Sequence, residues 1–164
     1  MQRVLAIYPG TFDPVTNGHL DLIERAAHIF GRLTVAVLRN TEKAPMFSLA
    51  ERVEMLREAT RTLPNVEIDS FEGLLVDYAR RVEARILLRG IRAVSDYEYE
   101  LQMAMMNRKL APELETVFML PAEAYSYLSS RLVREIAKLG GSVNGLVPAA
   151  VEYRLRAKVT QAVP

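Results

Sequence analysis

The residues best suited to chemistry lie near the start of the chain, between an apolar run and an amphipathic segment. Residues 3 to 8 are mostly apolar, and the stretch from Tyr8 to His19 contains two prolines, two glycines and a terminal histidine. Apolar residues then recur at helical spacing, at Leu20, Ile23, Ala27 and Phe30. We therefore predict a strand-to-helix turn in which unpaired N–H groups, the positive end of the helix dipole and His19 together bind a phosphate.

The composition limits which kinds of protein could carry this turn. The 164 residues suit a single domain covering residues 1–164, and 50% apolar with 25% charged residues is ordinary for a soluble globular protein. The chain has no apolar stretch of about 18 residues and no basic-then-apolar leader at its start, so we expect neither a membrane span nor a signal peptide. A cytoplasmic location is the resulting expectation.

Several kinds of chemistry are excluded by residue counts. The chain has no cysteine and only two histidines, His19 and His28, which excludes disulfides, thiolate nucleophiles, cysteine-ligated zinc and a histidine-rich metal cluster. Any metal is therefore expected to arrive with a phosphate substrate. The 21 basic and 20 acidic residues nearly balance, so nucleic acid is not an expected partner. Lys43 is the sole lysine in the first hundred residues, and its loop position suggests a function.

The elements that must position these residues follow a β-α-β-α rhythm. Apolar runs at 33–38, 66–71, 85–89 and 116–120 alternate with segments of helical period. Together with the first run they predict an α/β, Rossmann-like fold: a doubly wound five-stranded parallel sheet with helices on both faces. Helix boundaries are predicted by a capping box, a glycine pair and a proline, at Ser48 with Glu51, Gly140-Gly141 and Pro148.

In such a sheet, ligands bind beyond the carboxyl ends of the strands, near the point where strand order reverses. Thr11 and His19 follow the first predicted strand, and Lys43 follows the second. The segment 89–92 closes the fourth strand, and the segment 125–130 follows the fifth. We therefore expect these distant segments to meet at one edge of the sheet.

Several of these segments match motifs of one enzyme family. Thr16-Asn17-Gly18-His19 fits a T/H-x-G-H motif, and it occurs with Arg89-Gly90-Ile91-Arg92 and with Asp96-Tyr97-Glu98-Tyr99-Glu100. On these motifs the chain resembles the bacterial phosphopantetheine adenylyltransferases, which are nucleotidyltransferases. The family often has three consecutive serines where this chain has Ser129, Ser130 and Arg131, so the third position lacks a hydroxyl here.

The resemblance implies a reaction. The adenylyl group of ATP would pass reversibly to 4′-phosphopantetheine, giving dephospho-coenzyme A and pyrophosphate in the synthesis of coenzyme A. The attacking phosphate is already anionic at neutral pH, so positioning and charge stabilisation should dominate a direct in-line displacement without a covalent enzyme intermediate. Magnesium (Mg²⁺) would bridge the phosphates, and the family usually assembles as a homohexamer.

The resemblance also implies roles for individual residues. His19 would donate to the α-phosphate, Thr11 would align both reactants, and Lys43 would screen the two approaching anions. Arg89 would face the pantetheine phosphate and Arg92 the phosphates of ATP. The remaining implied contacts are Leu75 with the pantetheine arm and Phe12, Gly90, Ile91, Glu100, Tyr125, Ser126, Tyr127, Leu128, Ser129, Ser130 and Arg131 with the nucleotide.

Plainer structural roles remain open for several of these residues. Taken alone, Arg89 and Arg92 could be solvated or salt-bridged, and Ser129 and Ser130 could cap the following helix. Asp13 could organise a loop and is left out of the predicted site. The apolar residues of the segment around Met103, Met105 and Met106 could either fill the core or pack against another subunit.

Other functions also remain open. A nicotinate-mononucleotide adenylyltransferase or a glycerol-phosphate cytidylyltransferase would share the first motif, although the segments 89–92 and 96–100 better match the pantetheine enzyme. A fragment of a tRNA synthetase would need a K-M-S-K-S motif, which the chain lacks. A noncatalytic ATP-sensing module would need the phosphate-binding turn but not Lys43 or a second substrate pocket.

Overall fold

The computed structural model describes residues 4–39 and 44–161, which form a five-stranded parallel sheet with helices on both faces. The predicted fold class is confirmed. In chain order the elements are β1 (Leu5–Gly10), α1 (Asn17–Ile29), β2 (Arg32–Leu38), α2 (Leu49–Ala59), β3 (Val66–Phe71), α3 (Leu75–Arg81), β4 (Ile86–Gly90), α4 (Val94–Leu110), β5 (Glu115–Met119), a 3₁₀ turn (Glu123–Tyr125), α5 (Ser130–Lys138) and α6 (Ala149–Gln161).

The strands follow the order β3-β2-β1-β4-β5, and all neighbours are parallel. The chain builds outward from β1 to β3 and then crosses to the other side of β1 to form β4. Strand order therefore reverses between β1 and β4, and a crevice opens beyond their carboxyl ends.

The predicted strands agree with the structure to within two residues at each described end. The third predicted strand, 66–71, matches β3. The predicted end of the first strand at Tyr8 is wrong, because β1 continues to Gly10, where Pro9 and Gly10 stay in register with Ala36 and Val37 of β2. Backbone pairing thus continues beyond the apolar side chains that marked the strand in the sequence.

Alternation along the central strands divides the core into two layers. In β1, Ala6 and Tyr8 join the larger cluster with Leu22, while Ile7 joins a smaller cluster on the opposite face with Val76. All five residues are buried. Because successive strand side chains point to opposite faces, this division anchors helices on both sides of the sheet.

The predicted helix boundaries are confirmed by the observed caps. Ser48 and Glu51 form the capping box of α2. Gly140 follows the last turn of α5 with φ +76, a left-handed conformation that glycine adopts without strain. Pro148 directly precedes α6, and its carbonyl accepts the N–H of Glu152.

Helix α4 differs from the other helices because its apolar side chains are largely exposed. Glu100 is its single buried residue, whereas Met105 is 65% and Met106 is 55% exposed. These methionines therefore do not fill the core of this chain. No helix in the described part of the chain combines the length and apolar character that crossing a membrane requires.

Candidate active site

A cavity of about 660 Å³ lies beyond the carboxyl ends of β1 and β4, where strand order reverses. Most of the residues predicted from sequence to bind substrates line it. They are Thr11, Phe12, His19, Leu75, Arg89, Gly90, Arg92, Glu100, Tyr125, Leu128, Ser129 and Ser130. A second cavity of about 640 Å³ along β3 contains none of them. The first cavity is therefore the candidate active site.

Five predicted site residues are not among those lining the cavity. Ile91 is buried, and its N–H donates to the Met119 carbonyl. Ser126 and Tyr127 are exposed, and Arg131 is exposed and paired with Glu135. Lys43 lies outside the described residues.

His19 occupies the third position of α1, where the chain after β1 turns into the helix. The Thr16 backbone N–H donates to Nδ1 of His19 over 3.0 Å, and the His19 N–H donates to the Thr16 hydroxyl over 3.3 Å. The residue therefore caps its helix and lines the cavity at the same time. Because Nδ1 acts as an acceptor, the proton of the neutral imidazole resides on Nε2.

The electrostatic environment keeps His19 neutral. Burial of the imidazole, followed by the nearby positive charge of Arg92, lowers the pKa of His19 from 6.5 to about 4. At neutral pH the side chain is therefore a neutral N–H donor rather than a cation. A group of this kind can stabilise charge that develops on a phosphoryl oxygen.

Phe12 forms the wall behind the imidazole. Its ring meets the His19 ring edge-on at a centroid distance of 5.0 Å, and the Tyr8 ring edge-on at 5.5 Å. The Phe12 backbone has a φ of +49, which is unusual for a residue with a side chain. A Cβ on Gly10 would lie 2.9 Å from the Phe12 ring, so this packing requires glycine there.

Buried charges that the sequence interpretation did not assign hold the same loop from behind. The Asp13 carboxylate accepts the backbone N–H groups of Met46 and Phe47, each over 2.9 Å. Arg52 is 2% exposed and donates to the Thr11 carbonyl over 2.8 Å. Asp13 thus organises the loop, and Arg52 does the same from the first turn of α2. Arg52 stands at helical spacing from the buried Met55 and Leu56 on α2, and this spacing was the sign in the sequence that it faces the core.

Arg89 is oriented by a bidentate ion pair. Its Nε and Nη2 donate to the two oxygens of Glu100, each over 2.7 Å, and its Nη1 donates to the Pro9 carbonyl over 3.2 Å. Glu100 is 8% exposed, and both of its oxygens are used in this pair. Its visible role is therefore to fix the Arg89 guanidinium. Three of the five N–H groups of Arg89 are used here, so two remain for a ligand.

Arg92 is held in a similar way by residues from two other segments. Its Nε donates to Asp96 over 3.1 Å, and its Nη1 donates to the Leu128 carbonyl over 3.0 Å. The salt-bridged alternative for both arginines is thus correct, and it coexists with their position on the cavity. Fixed guanidiniums with free N–H groups suit the binding of phosphate oxygens.

The two serines at the start of α5 also have structural partners. Ser129 caps the helix by accepting the Leu132 N–H over 3.1 Å, and the Ser130 hydroxyl donates to the Pro14 carbonyl over 2.7 Å. The capping role is therefore observed for Ser129 alone. Both residues line the cavity, which places the amino end of α5 beside it. That end of a helix favours anions.

Comparison with known proteins gives consistent relatives. Residues 7–136 match the cytidylyltransferase-like family. The phosphopantetheine adenylyltransferase of Aromatoleum aromaticum is 56% identical over 160 residues, 98% of each chain. The phosphopantetheine adenylyltransferase of Moorella thermoacetica is 58% identical over 148 residues, covering 90% of this chain and 92% of the relative.

A solved structure supports the fold alone. It is that of a candidate nicotinate-nucleotide adenylyltransferase from Vibrio parahaemolyticus, which superimposes with a TM-score of 0.72 and covers 98% of this chain and 97% of its own. Its sequence is 16% identical to this one. The two proteins therefore share the doubly wound sheet, and a sequence identity this low gives no information on the substrate.

Proposed function

The chain belongs to the phosphopantetheine adenylyltransferases, within the cytidylyltransferase-like family, and on that premise we propose that it joins ATP and 4′-phosphopantetheine by a single in-line displacement. The products are dephospho-coenzyme A and pyrophosphate. The observation that carries the proposal is that His19 lines the same cavity as Arg89 and Arg92, about 70 residues further along the chain.

The reaction balances without a nucleophile from the protein. A phosphate oxygen of 4′-phosphopantetheine attacks the α-phosphorus of ATP while the bond from that phosphorus to the bridging oxygen breaks. The electron pair leaves with pyrophosphate, and no proton must be removed from the attacking phosphate. Catalysis then depends on holding two anions in line and stabilising the charge that develops between them.

His19 stabilises the transferred phosphoryl group in this scheme. Its Nε2–H donates to an α-phosphate oxygen, and the bond from the Thr16 N–H to Nδ1 keeps the imidazole in the required tautomer and orientation. Because the donor is already oriented before the reaction, little reorganisation is needed as charge develops. A donor of this type is worth about 10²- to 10³-fold in rate.

The two arginines divide the substrates between them. Arg89, fixed by Glu100, takes the phosphate of the acceptor, and Arg92, fixed by Asp96, takes the phosphates of ATP. Lys43 lies outside the described residues, and the family resemblance assigns its positive charge to screening the two anions. Thr11 aligns the reactants, and the pantetheine arm extends toward Leu75.

Magnesium is proposed to enter as part of the nucleotide substrate. The described residues contain no group of three or more histidine, cysteine, aspartate or glutamate side chains placed to bind a metal. The cavity carboxylates of Asp96 and Glu100 are each bonded to an arginine. These residues fit an ion that binds phosphate oxygens and water, and such an ion would neutralise charge on the departing pyrophosphate.

A homo-oligomer is proposed from the surface of α4, and its size, a hexamer, is proposed from the family resemblance alone. Leu101, Met105, Met106 and Leu110 are all exposed in the single chain, and Tyr97 is 49% exposed beside them. A contiguous apolar surface of this kind is typical of a subunit interface. We place the assembled enzyme in the cytoplasm, where ATP is available.

The proposed function is tested by measuring pyrophosphate release with ATP and 4′-phosphopantetheine. Parallel assays offer ATP with nicotinate mononucleotide, and CTP with glycerol 3-phosphate. We expect pyrophosphate release with ATP and 4′-phosphopantetheine at a kcat/KM at least about 100-fold above that of either alternative substrate pair. Binding of ATP without pyrophosphate release in any assay would favour an ATP-sensing module and contradict the proposal.

A further inference from the structure

Tyr8 is a cavity residue to which the proposed mechanism gives no role. It lies in β1, is 6% exposed and belongs to the larger core cluster. Its ring packs edge-on against Phe12 at 5.5 Å, and the centroid of the His19 ring lies 6.4 Å away. The ring is thus part of the core, while the residue also lines the cavity.

The hydroxyl of Tyr8 makes no hydrogen bond to any residue that the structure describes. It is also not sealed from solvent, since Arg52 Nε is the one fully enclosed side-chain polar atom without a partner in the described chain. The hydroxyl therefore opens into the cavity. Tyr78 provides the contrast, because its hydroxyl donates to Asp69 over 2.8 Å. Buried tyrosine hydroxyls normally have such a partner.

The surroundings of the hydroxyl indicate what it could bind. It lies on the Gly90 side of the cavity, 3.9 Å from the point that a Cβ on Gly90 would occupy. Burial raises the pKa of Tyr8 despite the nearby charges of Arg89 and Arg92, so the hydroxyl remains a donor at neutral pH. Glu100 is the nearby acceptor, and Arg89 uses both of its oxygens.

Several donors line this cavity. His19, Arg89 and Arg92 line it together with Tyr8, and the positive charges of Arg89 and Arg92 act on the Tyr8 hydroxyl. An oxygen that bears negative charge is the group that such a set of donors recognises. Gly90, whose Cβ position lies 3.9 Å from the hydroxyl, is on the nucleotide side of the proposed arrangement, which favours ATP over the acceptor as the source of that oxygen.

We propose that the Tyr8 hydroxyl donates a hydrogen bond to a phosphate oxygen of bound ATP, next to the oxygen contacted by His19. The proposal rests on the proposed function for the identity of the nucleotide. It adds a ligand-contacting residue whose ring packs in the core and whose hydroxyl binds the nucleotide. The lack of a hydrogen-bond partner for that hydroxyl among the described residues is then explained by its role in binding the ligand.

The test compares Tyr8→Phe with the matched variant Tyr78→Phe. Each change removes one buried hydroxyl, but the two hydroxyls differ in their partners. Tyr8→Phe is expected to weaken ATP binding about tenfold in calorimetry without the acceptor, to lower kcat/KM for ATP at least as much, and to leave Tm unchanged. Tyr78→Phe is expected to lower Tm and to leave ATP affinity unchanged, because it loses the bond to Asp69.

The outcomes separate this inference from the proposed function. Unchanged ATP affinity in Tyr8→Phe would overturn the inference, even if the wild-type protein releases pyrophosphate as proposed. A fall in Tm equal to that of Tyr78→Phe would also overturn it, because the hydroxyl would then have a partner within the protein. Weakened ATP binding would support it, even if no acceptor gave turnover and the proposed function failed.

Discussion

Replacing His19 with alanine separates transition-state stabilisation from substrate binding. The change removes the Nε2–H donor on the cavity and also the acceptor Nδ1 that the Thr16 N–H uses. If the donor acts mainly as charge develops on the α-phosphate, turnover should fall much more than ATP affinity. We expect kcat to fall at least about 100-fold, with the dissociation constant of ATP within about tenfold of wild type.

The structural part of this substitution has its own magnitude. Losing the reciprocal cap of α1 should cost about 1 kcal/mol of the free energy of unfolding. In a domain of this size that corresponds to a fall in Tm of about 2–4 °C. The protein should therefore remain folded at 25 °C, so unfolding would not explain a 100-fold loss of kcat.

The assay measures pyrophosphate release for kcat and calorimetry for ATP binding, with Ser48→Ala as the matched control. Ser48 caps α2 in the same way as Thr16 caps α1, but it does not line the cavity. We expect the control to lose similar stability and to keep its kcat within about twofold. Equal losses of kcat and ATP affinity in His19→Ala would refute the assigned role.

Four further outcomes are expected. Because the pKa of His19 is lowered to about 4, its imidazole NMR signal should not titrate near pH 6.5; His28→Asn identifies the signal. In the unfolded chain His19 takes up a proton below about pH 6.5, whereas in the folded chain it stays neutral. Between pH 7 and pH 5 the free energy of unfolding should therefore fall by about 2 kcal/mol more in the wild type than in His19→Gln. Gly10→Ala should press on the Phe12 ring, cost about 1–3 kcal/mol of stability and lower kcat, and normal activity would contradict the packing account. Light scattering at micromolar concentration should show an oligomer for the wild type and monomer for Met105→Glu, whereas monomeric wild type would rule out the α4 interface.

The sequence was sufficient for the fold because its signals are local and repeated. Apolar runs marked the strands, and the capping box at Ser48 and Glu51 marked the start of α2. The end of β1 was misplaced because Pro9 and Gly10 lack the apolar character of a strand but still pair with β2. Hydrogen bonding between strand backbones does not require apolar side chains, so the side-chain pattern does not reveal it.

The sequence was less informative about how the site residues are held. The loop around His19 was located by its position between strand and helix, but the reciprocal cap that His19 forms with Thr16 was not predicted. The pairing of Arg89 with Glu100 joins β4 to α4, and no periodic pattern reports such a contact. The burial of Arg52 runs against the usual exposure of arginine, and its helical spacing from Met55 and Leu56 was the one sign of it in the sequence.

The central claim is that one cavity holds both substrates for direct transfer, and the stereochemistry at the α-phosphorus tests it. The reaction is run with a single diastereomer of ATP that carries sulfur in place of a non-bridging oxygen at the α-phosphorus, and the configuration of the product is determined. A single in-line displacement predicts inversion of configuration. Retention would require two successive displacements through an adenylylated protein residue, and it would contradict the account.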